Sequence, residues 1–124
     1  MTMSVIVYLP DAENAGDRLL EAIKTTTPKQ IEIYHSLADL AARFQKPCPD
    51  TRITVLLAAT VKHLQDIIRL RDYLLEMRLI LVLPDGDHET IAQAHSLRPR
   101  FLTWMTNDFA DVGVVLKRMV ELYH

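Results

Sequence analysis

Glycine is scarce in this 124-residue chain, with only Gly16, Gly86 and Gly113 present. A loop of the GxGxxG or GxxxxGK[ST] kind needs clustered glycines to wrap a phosphate, so both fingerprints are excluded. Cysteine is scarcer still. Cys48 stands alone between two prolines, which excludes an internal disulfide and a cysteine-based zinc site. Acidic and basic residues nearly balance, 16 against 14, for a formal net charge of −2. Nucleic acid calls for a basic face, and that balance offers none. No apolar run approaches the ~20 residues needed to span a bilayer. The opening "MTMSVIVYLPD" lacks a basic leader, and its apolar run is too short for a signal peptide. The expectation is one soluble domain over 1–124, cytoplasmic, with no membrane partner and a core large enough to need no staple.

What is present is a regular alternation of short apolar runs with helical periodicity. Strands are predicted at Ser4–Leu9, Ile31–Tyr34, Ile53–Ala58, Leu79–Leu83 and Phe101–Trp104. The first helix runs from Ala12 to Lys24, with Ala15, Leu19, Ala22 and Ile23 on one face. Ser36 caps a second helix to about Gln45, and Thr60 begins a third reaching about Met77. Asp87 caps a fourth to about Ser96, and Thr106 or Asn107 caps a fifth to Tyr123. Strands that are apolar throughout, rather than alternating, need cover on both sheet faces, which is the mark of a parallel sheet. Right-handed crossovers then favour a three-layer α/β flavodoxin-like sandwich, strand order 2-1-3-4-5. In the third helix, apolar residues including Leu70 and Leu74 spread over about 200°, beyond the usual core-facing stripe. Either that surface meets another chain or it is buried within this domain.

In such a sheet, chemistry gathers where strands end and helices begin. The predicted edge carries Pro10 and Asp11, Tyr34 and His35, Ala58 to Thr60, Pro84 and Asp85, and Trp104 to Thr106. In the number, order and lengths of its elements, the whole chain resembles the receiver domains of bacterial response regulators. The resemblance implies a signalling role through protein contact, with the fourth helix, fifth strand and fifth helix as contact face, and Phe101 at the place of an aromatic switch residue. It also implies a phospho-acceptor aspartate ending strand three, an acidic pair holding Mg²⁺ at strand one, a Thr or Ser at strand four and a Lys-Pro pair at strand five. Here those places fall on Ala58 or Ala59, near Leu9 and Pro10 with Asp11 alongside, on Leu83 or Pro84, and on Trp104-Met105. Aspartyl phosphorylation needs a carboxylate nucleophile and a cation beside it. The expectation is therefore a non-enzymatic pseudo-receiver with no cofactor and no metal, acting on a protein partner and able to form a homodimer.

Two other readings compete. A small molecule or nucleotide could bind the same edge, with Trp104 and Arg100 as contacts. An enzyme could hold Mg²⁺ or Ca²⁺ on Asp11, Glu13, Asp85 and Asp87, oxygen ligands of the right hardness. Asp87, Asp11 and Glu13 also suit helix starts, and every helix demands caps, so capping is the simpler reading. The five histidines show no HExxH pairing and read as surface residues. Trp104 is read as a plug for the site edge.

Overall fold

A computed structural model describes residues 4–10, 14–26, 30–46, 53–105 and 109–123. The apolar runs form β1 (Ser4–Tyr8), β2 (Gln30–Tyr34), β3 (Ile53–Leu57), β4 (Arg78–Leu83) and β5 (Phe101–Trp104). All pairings are parallel and the order is β2-β1-β3-β4-β5, the predicted arrangement. Between the strands lie α1 (Asn14–Thr26), α2 (Leu37–Gln45), α3 (Val61–Ile68), α4 (Arg71–Leu74), α5 (His88–His95) and α6 (Ala110–Tyr123). Among the described residues, no helix is long and apolar enough to cross a membrane.

Strand periodicity divides the core into two layers, because successive side chains point to opposite sheet faces. Val5, Val7, Ile53, Val55, Leu57, Ile80 and Val82 pack with Leu19 and Ile23 of α1 and with Val112 and Leu116 of α6. Ile6, Tyr8, Leu56, Leu79, Leu81 and Leu83 pack on the other face with Leu40, Leu64, Ile67, Leu74 and Ala94. The six side chains Val5, Val7, Val55, Leu57, Ile80 and Val82, expected among the most buried, are all fully buried. Thr54 is the polar exception inside β3, and its hydroxyl donates to Met77 Sδ at 3.3 Å.

The predicted third helix is the main correction. Its hydrogen bonding tightens at Leu70, whose N–H donates to Ile67 O at 2.9 Å and whose backbone sits at φ −93°, ψ 14°. Those angles leave the helical well for the bridge region, so the axis breaks and α4 starts afresh. The wide apolar arc thus belongs to two short helices, not to one. Leu74 is fully buried, and Leu70 is half-buried against the same core, so Leu74 cannot belong to a surface contact face.

Two of the caps read from the sequence form with the expected side-chain bond. Ser36 Oγ accepts from Asp39 N–H, and Thr60 Oγ1 accepts from His63 N–H, both at 3.1 Å. Asp87 occupies the N-cap position of α5 but makes no side-chain cap bond. Its N–H instead donates to Asp85 Oδ1 at 3.0 Å, so Asp85 organises the turn. The expected caps of α6, Thr106 and Asn107, lie outside the described residues, as does Cys48.

Candidate functional site at the carboxyl edge of the sheet

Five parallel strands bring their carboxyl ends to one edge, and the residue types there decide what that edge can do. At the centre, Ala58 follows β3, and its N–H donates to Val82 O at 2.8 Å, extending the ladder by one residue. Ala58 is fully buried in the layer formed with Tyr8, Leu56, Leu64 and Leu83. A methyl group there offers neither nucleophile nor ligand. Ala59 is half-buried, and Thr60 is exposed with its hydroxyl committed to the cap.

The end of β1 is closed by apolar and backbone groups. Leu9 and Pro10 are buried. Leu9 N–H donates to Tyr34 O at 2.9 Å, and His35 Nδ1 lies 2.9 Å from Leu9 O. A carbonyl oxygen only accepts, so Nδ1 carries the proton in that contact. His35 thereby ties the ends of β1 and β2 together, a role that nothing in its sequence setting signalled. Asp11 and Glu13 lie outside the described residues. Among the described residues, no group of three or more His, Cys, Asp or Glu is placed to hold a metal ion.

Trp104 ends β5 half-buried and packs with the Ala58 layer. A Cβ built on Gly86 would stand 3.1 Å from Trp104 Cε2 and 3.3 Å from Cδ2 and Cζ2. The indole therefore lies flat against the backbone of the β4–α5 turn, and glycine is what permits that approach. Beside the same turn, a groove of about 430 Å³ is lined by Val61, Asp85, Gly86, Asp87, His88 and Gln93 among others. Neither Ala58 nor Trp104 lines it.

Three further placements refine the expectations. Arg100 N–H donates to Leu79 O at 2.8 Å, which puts Arg100 at the amino edge of the sheet. With β5 rising ~3.3 Å per residue, Arg100 and Trp104 stand ~13 Å apart at opposite ends and cannot share one ligand there. Phe101 is half-buried and packs with the α1–α6 layer, not with the site edge. His63, expected at the surface, is half-buried, and its Nδ1 is buried without a hydrogen-bond partner among the described residues.

Among the described residues, Tyr8 is the ionisable side chain buried at the strand ends, at 3% exposure. Burial raises its phenol above the ordinary range, and the negative charge of Asp66 on α3 raises it further. Tyr34 is raised too, first by burial and then by the hydrogen bond that its hydroxyl donates to Glu32 Oε1 at 2.9 Å. Glu32 is in turn gripped by Arg43, with Nε to Oε1 at 2.7 Å and Nη2 to Oε2 at 3.2 Å. That two-pronged pair fixes α2 to the edge strand β2.

No protein-family model matches the chain, and no curated protein matches it.

Proposed function

We propose that this chain is a receiver-like signalling module that works by protein contact and independently of phosphorylation. The observation that carries the reading is Ala58, a fully buried methyl at the strand end where the resemblance calls for a phospho-acceptor. Phosphoryl transfer to protein there would need a carboxylate open to the donor and a cation to spread the charge. The layout supports the reading as well: the 2-1-3-4-5 sheet keeps α1 and α6 on one face and the remaining helices on the other. The module transmits through its surface, and no step of catalysis is assigned to it.

The contact face in this proposal is α5, β5 and α6. Among the described residues β5 pairs only with β4, so its outer edge faces away from the sheet. Val115 and Leu122 stand seven apart on α6, about 20° from each other around the helix axis. Val115 packs against the core, while Leu122 is 73% exposed. An apolar stripe that starts inside the domain and continues into solvent suits a partner chain. The rival reading of a small ligand held by Trp104 and Arg100 loses its support, because those residues stand at opposite sheet edges.

Labelling tests the proposal. Acetyl phosphate with Mg²⁺ is expected to leave the intact mass unchanged, and Ala58→Asp alone is expected not to restore labelling. A phosphorylated species of the unmodified protein, mapped to Asp11 or Asp85, would overturn it.

A further inference from the structure

On the sheet face covered by α1 and α6, a groove of about 590 Å³ opens between the two helices. Small-molecule sites usually fall between ~300 and ~1,000 Å³. Ala22 and Ala110 line it, and their short side chains leave the gap that longer ones would close. Phe109 forms an aromatic wall and is only 3% exposed. The guanidinium of Arg18 lies over that ring, 4.8 Å from its centroid, which holds the cation at the groove. The Thr25 hydroxyl is spent on its own helix, donating to Ala22 O at 3.2 Å.

Asp17 and Glu21 complete the rim from α1. At 100° per residue, Glu21 lies about 40° from Asp17 and about 60° from Arg18, so the three charged groups border one opening. A Glu three residues beyond an Arg ordinarily pairs with it on a helix surface. Here Arg18 is turned to Phe109, and no ion pair joins it to Glu21. Asp17 and Glu21 are both exposed, and neither makes an ion pair or a side-chain hydrogen bond among the described residues.

Two carboxylates and one stacked guanidinium define a complement with two cations and one carboxylate. From this we infer that the groove binds a basic α-amino acid of the lysine or arginine kind. The carboxylate of that ligand meets the Arg18 guanidinium, whose planar fork matches it with two parallel hydrogen bonds. Its α-ammonium and side-chain cation meet Glu21 and Asp17, which stand ~6 Å apart along the helix axis. An extended lysine side chain matches that spacing. The methylene stem lies along Ala22 and Ala110, as such stems do on apolar surface. Site and ligand together are neutral. A neutral amino acid leaves one carboxylate unmatched, and a diamine sets a cation against Arg18, so charge balance selects the basic amino acid over both. The groove is open to solvent, which screens these contacts, and a dissociation constant of about 0.1–1 mM is expected. The site uses none of the strand-end residues and does not rest on the protein-contact reading.

Titration of the full chain with L-lysine and with L-arginine, to about 20 mM and followed by amide chemical shifts, brackets that range. Saturable shifts centred on Asp17 to Thr25 and on Phe109 and Ala110 are expected. L-Norleucine lacks the side-chain amine and cadaverine lacks the carboxylate, so each is expected to bind about tenfold more weakly or worse than L-lysine. Glu21→Gln and Asp17→Asn, on exposed positions, are each expected to weaken L-lysine about tenfold with circular dichroism unchanged. Arg18→Gln is expected to weaken L-lysine but not cadaverine, erasing the preference between them, which a merely structural role for Arg18 would not do. Absence of saturable shifts overturns the site, as do shifts centred elsewhere or norleucine and cadaverine binding as tightly as lysine. Retention of the lysine preference in Arg18→Gln overturns it as well. The phosphorylation-independent reading survives any of those results and falls only to acetyl phosphate labelling.

Discussion

Replacing Ala58 by aspartate asks whether the end of β3 is a blocked site or merely an altered one. Ala58 is fully buried and belongs to an apolar layer. A carboxylate placed there loses its hydration, and a fully buried carboxyl has its pKa raised by up to ~3–5 units. At about 1.4 kcal/mol per unit, with part of the strain relieved by relaxation, the charge costs about 3–5 kcal/mol at pH 7. A domain of this size has only about 5–15 kcal/mol in total. In urea, with a slope of about 1.5 kcal/mol per molar, the midpoint should fall by about 2 M or more. Ala58→Asn controls for shape and polarity, because it has the same size without the charge. The sign with pH follows from the raised folded-state value. The penalty specific to aspartate is absent below its unfolded value of about 3.9, grows as pH rises from there, and levels off above the folded value. The two variants should therefore converge near pH 4 and diverge towards pH 7. Aspartate costing less than about 1 kcal/mol, with no pH-dependent difference from asparagine, would mean the carboxylate reaches water and the strand end is open.

The break at Leu70 predicts that Leu74→Ala costs about 2–5 kcal/mol while Leu75→Ala, at 39% exposure, costs under ~1 kcal/mol; equal losses in urea would refute the broken helix. Gly86→Ala sets a methyl 3.1 Å from Trp104 Cε2, so the ring must give way. Since Trp104 is the one tryptophan, its emission maximum and near-ultraviolet dichroism should both change, at a stability cost of about 1 kcal/mol, and unchanged spectra would place the ring elsewhere. The raised phenol of Tyr8 contributes stability that is present below the ordinary tyrosine value of about 10 and is lost as pH rises through the folded value. Tyr8→Phe should flatten the alkaline fall in urea midpoint, and an ultraviolet titration in which every tyrosine ionises together near pH 10 would contradict the burial of Tyr8.

The order and direction of the five strands were legible in the sequence because burial on both faces leaves a mark in every residue of a run, as in Val5–Leu9 and Ile53–Ala58. The caps at Ser36 and Thr60 were legible for a related reason, since the hydroxyl and the N–H it satisfies are three residues apart. The emptiness of the strand-three end was likewise written in Ala58 and Ala59 themselves. Periodicity failed at Leu70, where neither glycine nor proline marks the break. What ends α3 is the need to return Leu74 and Met77 to the sheet, a demand made by residues far away in sequence. Asp87 holds the cap position its place in the sequence indicated, but without a side-chain bond; the carboxylate that organises the turn is that of Asp85, two residues earlier, which only the folded geometry reveals. The closure of the edge belongs wholly to tertiary structure: His35 against Leu9 spans 26 residues, and Trp104 reaches Gly86 across a strand pair. Local pattern records what each segment needs from its own neighbours, whereas long-range contacts choose which of those needs are met, and by which residue.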